Sequence, residues 1–175
     1  MKRFSAALAA FALVLTAPAY ASLKPGDTAP QFKAAASLGG KVFSFDLAQA
    51  LKKGPVVLYF YPAAFTTGCT IEAHDFAAAI DQYRALHATV IGVSHDTIDT
   101  LNRFSVSECR SKFAVAADPA LTVARAYDSI LTRSPQYANR TSYVIGRDGK
   151  IAYTFTDLNP DKHVANTLAA LKALP

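Results

Sequence analysis

Cys69 lies in the stretch Tyr59-Phe60-Tyr61-Pro62-Ala63-Ala64-Phe65-Thr66-Thr67-Gly68-Cys69-Thr70-Ile71-Glu72. An apolar run ends at Pro62, and a Pro/Thr/Gly loop then delivers the thiol to the start of a helix. The unpaired backbone N–H groups of a first helical turn and the positive end of the helix dipole favour negative charge there. Thiols have an ordinary pKa near 8.5, and helix N-termini with basic neighbours favour the thiolate, which is the strong nucleophile. The spacing therefore points to attack by sulfur. Thr66 adds a hydroxyl to the same loop, and Glu72 follows Cys69 by one helical turn. Taken alone, Cys69 is equally a buried, inert thiol, Thr66 a helix cap, and Arg140 a surface cation. The other cysteine of the chain is Cys109.

The elements that must hold this stretch follow from periodicity. Val56–Tyr61 is a continuous apolar run, the mark of a strand covered on both faces. Cys69, Ala73, Phe76, Ile80 and Tyr83 recur at helical spacing and predict one buried face. Residues 31–36 and 41–45 flank Leu38-Gly39-Gly40, a hairpin signal. Asp46–Lys52 reads as a short helix capped by Ser44 or Asp46 and stopped at Gly54-Pro55. Ala88–Val93 is a second buried strand, followed by a helix from Ser94-His95-Asp96-Thr97 to about Glu108. Phe113–Ala117 is a weaker strand and Leu121–Tyr127 a short helix. Thr141–Ile145 and Lys150–Phe155 pair around Asp148-Gly149. Asn159-Pro160-Asp161 opens a last helix with Val164, Leu168 and Leu171 on one face. Crossover helices demand parallel strands and the later hairpin an antiparallel pair, so the central sheet is mixed. The order predicts an α/β, thioredoxin-like fold with an N-terminal β-hairpin and flanking helices.

Residues 1–21 combine Lys2 and Arg3, the apolar run Ala6–Leu15 and Ala19-Tyr20-Ala21, the pattern of a secretory signal cleaved before Ser22. That run is too short to cross a bilayer, which takes about 20 apolar residues. Processing leaves residues 22–175, read as one domain that is periplasmic or secreted without stable membrane insertion. The chain has 18 basic and 13 acidic residues, and loss of Lys2 and Arg3 lowers the net charge from +5 to about +3. Charges are interspersed, which excludes a nucleic-acid surface. His87, His95 and His163 have no metal-ligand spacing and read as surface residues, and His74 as exposed or packing.

Pro62, Thr66 and Cys69 match the Pro-x-x-x-Thr-x-x-Cys motif of the peroxiredoxins, and Gly68 and Glu72 resemble the bacterioferritin-comigratory, or Q-type, subgroup. Arg140-Thr141-Ser142-Tyr143-Val144-Ile145, followed by Asp148-Gly149-Lys150-Ile151, is similar to the family's arginine-bearing strand and hairpin. The turns at Val93-Ser94, Asp96 and Asp118-Pro119 also resemble it. The resemblance covers nearly all of residues 22–175. It implies a thiol-dependent peroxidase acting on hydrogen peroxide and organic hydroperoxides, with Cys69 peroxidatic. Pro62 shields the sulfur, and Thr66, the Cys69 N–H and Arg140 hold peroxide and developing oxyanion. Glu72 orients Arg140. Many Q-type members carry a resolving thiol five residues after the first, where this chain has His74, so the resemblance passes that role to Cys109. It implies no metal, haem or flavin, a thioredoxin-like or small-thiol reductant, and a monomer or weak dimer. Two other readings stand beside it. One is an exported disulfide oxidoreductase, against which the missing Cys-x-x-Cys argues. The other is a binding module with a permanent Cys69–Cys109 staple.

Overall fold

The structure, a computed structural model, describes residues 22–174, so the signal-peptide reading of residues 1–21 lies outside the described residues. Gly39 and Gly40, with φ of 56° and 78°, turn the chain between β1 (Lys33–Leu38) and β2 (Lys41–Asp46). Only glycine adopts that pair of conformations cheaply. The Asp46 carboxylate accepts from the Gln49 N–H and caps α1 (Leu47–Lys53), so the cap is Asp46 and not Ser44. Then follow β3 (Val56–Phe60), α2 (Thr67–Ala85), β4 (Thr89–Ser94) and α3 (Ile98–Ser107). The chain ends with β5 (Ala114–Ala117), α4 (Thr122–Ala126), β6 (Thr141–Ile145), β7 (Ile151–Thr156) and α5 (His163–Lys172). The last helix is entered through a 3-10 turn, Pro160–Lys162, where the sequence predicts helix from the start.

The strands form one mixed sheet in the order β2-β1-β5-β4-β3-β6-β7. β3 is an interior strand, parallel to β4 and antiparallel to β6, and each of its residues is buried. Alternation sends Val56, Leu58 and Phe60 into the core beneath α1 and α4, and Val57, Tyr59 and Tyr61 into the core beneath α2, α3 and α5. Each large side chain buried in this way contributes about 1.5–3 kcal/mol. The predicted face of α2 faces inward along its length, since Cys69, Ala73, Phe76, Ile80 and Tyr83 are all buried. Among the described residues no helix is long and apolar enough to cross a membrane.

Two register facts place the site. Thr141 pairs with Phe60, so Arg140 lies level with Tyr61, where β3 gives way to its loop. Phe60 pairs with Val93 on the other side, and the Tyr61 N–H still bonds the Val93 carbonyl at 3.1 Å. The loops after β3 and β4 and the residue before β6 therefore meet at one edge of the sheet.

Candidate active site

The loop between β3 and α2 is pinned from the loop after β4. The Asp96 carboxylate accepts from the Ala64 N–H at 2.7 Å and from the Ser94 hydroxyl at 2.8 Å, and His95 Nδ1 donates to the Pro62 carbonyl at 2.8 Å. Phe65 takes a left-handed backbone, φ 63°, and its exposed ring meets Phe104 edge-on at 5.2 Å. A left-handed bulky residue is held only where its surroundings over-determine it. Here the Asp96 and His95 bonds on one side and helix α2 on the other do so.

Thr66 is the N-cap of α2, but its side chain makes no capping bond. Its hydroxyl donates instead to the Ala63 carbonyl at 2.9 Å, which leaves the oxygen lone pairs able to accept. Cys69 is the third residue of the helix, and its side chain is 2% exposed, beneath a partly open loop. Three groups converge behind it. Arg140 Nη2 donates to Cys69 Sγ at 3.4 Å, Arg140 Nη1 is ion-paired with Glu72 Oε2, and Arg140 Nε donates to the Leu158 carbonyl at 2.9 Å. With Arg140 only 4% exposed and Glu72 fully buried, the fork is fixed at all three nitrogens, and a charged donor fixed beforehand is worth most where water is excluded.

Gly68 makes room for this approach, because a Cβ there lies 3.1 Å from Arg140 Nη2. Gly68→Ala is expected to push the guanidinium off the sulfur and slow oxidation of Cys69 by about tenfold, or 1.4 kcal/mol of barrier. Competition against a haem peroxidase for limiting peroxide measures this, and an unchanged rate would mean that the Arg140–Cys69 approach is not limiting.

Burial is the largest influence on Glu72 and pushes its carboxyl up to about 8, against the Arg140 guanidinium, which pulls it down. Its second oxygen, Oε1, has no hydrogen-bond partner and lies 3.7 Å from Nδ1 of His163. His163 corrects the surface reading of the sequence: it is fully buried. Nε2 donates to the Asp157 carbonyl at 2.9 Å, Nδ1 lies 2.8 Å from the Ser142 hydroxyl, and the ring packs on Phe155 at 4.9 Å. The 3-10 turn that starts the last helix tucks this residue beneath the sheet edge. His95, read as a surface residue, is half-buried on Pro62 for the reason given above, while His87 is exposed and His74 half-exposed.

No disulfide joins Cys109 to Cys69. Both thiols are free and buried within the same apolar cluster as Tyr59 and Tyr61. Burial first, and then the facing Cys109, push both phenols well above their ordinary value. Cys109 follows the end of α3 and is fully buried. Burial also raises its thiol far above the usual range, and Glu108 adds to this. Glu108 is joined to His74 on α2 at 2.8 Å. Both thiols are unbonded and buried, so a disulfide between them, with its narrow geometry, would have to form at the expense of the packing around each.

The AhpC/TSA family model matches residues 25–154. The putative peroxiredoxin bcp of Helicobacter pylori strain J99 is 31% identical over 154 residues, which span 85% of this chain and 98% of that protein. Peroxiredoxin Bcp of Escherichia coli K12 is 30% identical over 146 residues, 81% of this chain and 90% of that one. The crystal structure of peroxidoxin BcpB from Mycobacterium tuberculosis matches with a TM-score of 0.79 at 30% identity, covering 87% of this chain and 99% of that chain. A thioredoxin-like fold carrying a buried, arginine-paired thiol at a helix start is thus joined to a family match over most of the chain. The chain belongs to the AhpC/TSA family. Its chemistry is that of the thiol-dependent peroxidases, as in the Bcp-type peroxiredoxins it resembles.

Proposed function

We propose that Cys69 is the peroxidatic cysteine and Cys109 the thiol that resolves it, in a protein that reduces hydrogen peroxide and organic hydroperoxides. The observation that carries this reading is the single guanidinium of Arg140, held between Glu72 and the Cys69 sulfur. The thiolate attacks one peroxide oxygen, so an S–O bond forms as the O–O bond breaks. Sulfur becomes a sulfenic acid, and the other oxygen leaves as alkoxide or hydroxide and takes up a proton. Arg140 and the Cys69 N–H stabilise the charge growing on that oxygen. Thr66 accepts from the peroxide, and Pro62 covers the sulfur. Attack of Cys109 on the sulfenic sulfur then expels water and leaves a Cys69–Cys109 disulfide. Closing a loop of this length constrains the unfolded chain by about 4 kcal/mol in the entropic account, so the bridge also stabilises the oxidised form.

That last step requires both segments to open. Arg110 and Ser111, directly after Cys109, are both left-handed at φ 51° and 56°, a conformation that costs about 1–3 kcal/mol for each non-glycine residue. Unwinding releases that strain, which supports an opening at this place. Two electrons from a thioredoxin-like or small-thiol donor close the cycle, in a monomer or weak dimer. The leader-like residues 1–21 support a periplasmic or secreted location, with cleavage near Ala21 and Ser22.

Peptide mapping after one equivalent of peroxide tests the assignment. The expected order is a dimedone-trapped sulfenic acid on Cys69, followed by a Cys69–Cys109 disulfide. Trapping on Cys109 first would reverse the roles, and a disulfide already complete in the protein before peroxide is added would favour a structural staple.

A further inference from the structure

Four buried groups share one charge problem. Arg140 is the only cation among them. Cys69 as thiolate and Glu72 as carboxylate would set two negative charges against it, inside a region where Glu72 and His163 are fully buried and Arg140 is 4% exposed. A net buried charge is costly, and buried groups change protonation state to avoid it. His163 does not supply the missing positive charge. Its Nε2 proton is committed to the Asp157 carbonyl, Nδ1 is placed to accept from the Ser142 hydroxyl, and the Arg140 charge disfavours a second proton on the ring. The Glu72 oxygen facing Nδ1 is also the one polar atom of the cluster that lacks a hydrogen-bond partner. Nδ1 lies 3.7 Å from that oxygen, too far for a hydrogen bond, and its one lone pair already takes the Ser142 proton, so Oε1 is a buried carboxylate oxygen with no donor, which disfavours charge on it.

We propose that Glu72 carries a proton, on its donor-less oxygen Oε1 beside neutral His163, while Cys69 is a thiolate, and gives it up when the sulfur is oxidised. The inference rests on Cys69 being peroxidatic. Charge balances at each stage. Before reaction Arg140 is offset by the thiolate, and Glu72 and His163 are both neutral. Attack consumes the thiolate charge and produces a neutral sulfenic acid and an alkoxide. Release of the Glu72 proton supplies the one proton that the alkoxide needs, and the new carboxylate then offsets Arg140. No further oxidant or reductant enters.

The other charged groups near the pair act in known senses. Asp75, on the same helix, disfavours ionisation of Glu72 as burial does, and Asp161 faces Asp75. For His163, burial holds the ring below its ordinary value, the Asp157 carbonyl opposes this, and Arg140 reinforces it. Glu72, pushed up to about 8, keeps its proton well above the usual carboxylate range and loses it as pH rises through that value. Its carboxylate then competes with the thiolate for Arg140.

Infrared difference spectroscopy on the full chain, reduced minus oxidised by one equivalent of peroxide, reads the proton directly. The Cys109→Ser background stops the reaction at the sulfenic acid. A protonated-carboxyl C=O band is expected in the reduced protein and is lost on oxidation. It is absent in Glu72→Gln. The alkaline fall in the rate of Cys69 oxidation is expected to vanish in Glu72→Gln. A reduced wild-type protein with no such band, or a band that survives peroxide or Glu72→Gln, would overturn the proposal. Peroxide consumption that persisted in Cys69→Ser would overturn the peroxidatic reading itself, whereas Cys69-dependent consumption without a bleached carboxyl sinks this inference alone.

Discussion

Peroxide consumption is expected to be abolished in Cys69→Ser and to fall by about a thousandfold in Arg140→Met, the upper end of what loss of one preorganised oxyanion donor costs. The serine variant has no sulfur to oxidise. The methionine variant keeps the thiol but loses three fixed contacts at once, to Cys69, Glu72 and the Leu158 carbonyl. Arg140→Lys is expected to recover only part of the rate. An ammonium carries the charge but not the planar fork, and the separation between Glu72 and the sulfur is set for two guanidinium nitrogens. Removing Arg140 also leaves Glu72 without its counter-ion in the core, so each variant needs its thermal midpoint measured beside its rate. A folded Arg140→Met protein that reacts as fast as wild type would remove Arg140 from the mechanism.

Cys109→Ser is expected to complete one turnover and then slow sharply when a dithiol protein is the reductant. In the proposed cycle the first step draws on Cys69, Thr66 and Arg140 and needs no second thiol. Recycling through a disulfide does need Cys109. Steady-state turnover is expected to fall by about a hundredfold, the size of a lost catalytic partner, while the burst of one peroxide per protein persists. Hydrogen exchange on the wild-type protein supplies the structural counterpart. Oxidation should deprotect residues around 66–72 and 105–113 and leave β3, β4 and β6 protected. Unimpaired turnover in Cys109→Ser, or oxidised and reduced proteins with the same exchange pattern in both segments, would count against a resolving role.

What the sequence reveals here depends on range. Val56–Phe60, the inward face of α2 and the two glycine turns are set by local periodicity and turn chemistry, and each lies within two residues of its expected place. The mixed character of the sheet follows from the connections. The insertion of β5 between β1 and β4 does not, because four residues of small apolar side chain carry no sign of their neighbours. Around Cys69, the loop motif and the arginine strand are visible through the family resemblance, and the register of β6 on β3 accounts for the position of Arg140. His163 is not visible in that way. A histidine after Pro160-Asp161-Lys162 looks like the polar start of a surface helix, and only the docking of that helix against Ser142 and Asp157 buries it. The Asp96 and His95 bonds that pin the Cys69 loop belong to the same class, since contacts between loops have no period to detect.

The Arg140–Cys69 contact joins residues separated by 71 positions and exists only once β6 has paired with β3. A chain still emerging or still unfolded therefore carries at position 69 a thiol without its guanidinium. Under the proposed roles, activation of that thiol toward peroxide arrives with one of the longer-range strand pairings in the molecule. Oxidant present during maturation meets no primed sulfur until the fold that can complete the cycle is in place, so folding itself serves as the safety catch on the chemistry.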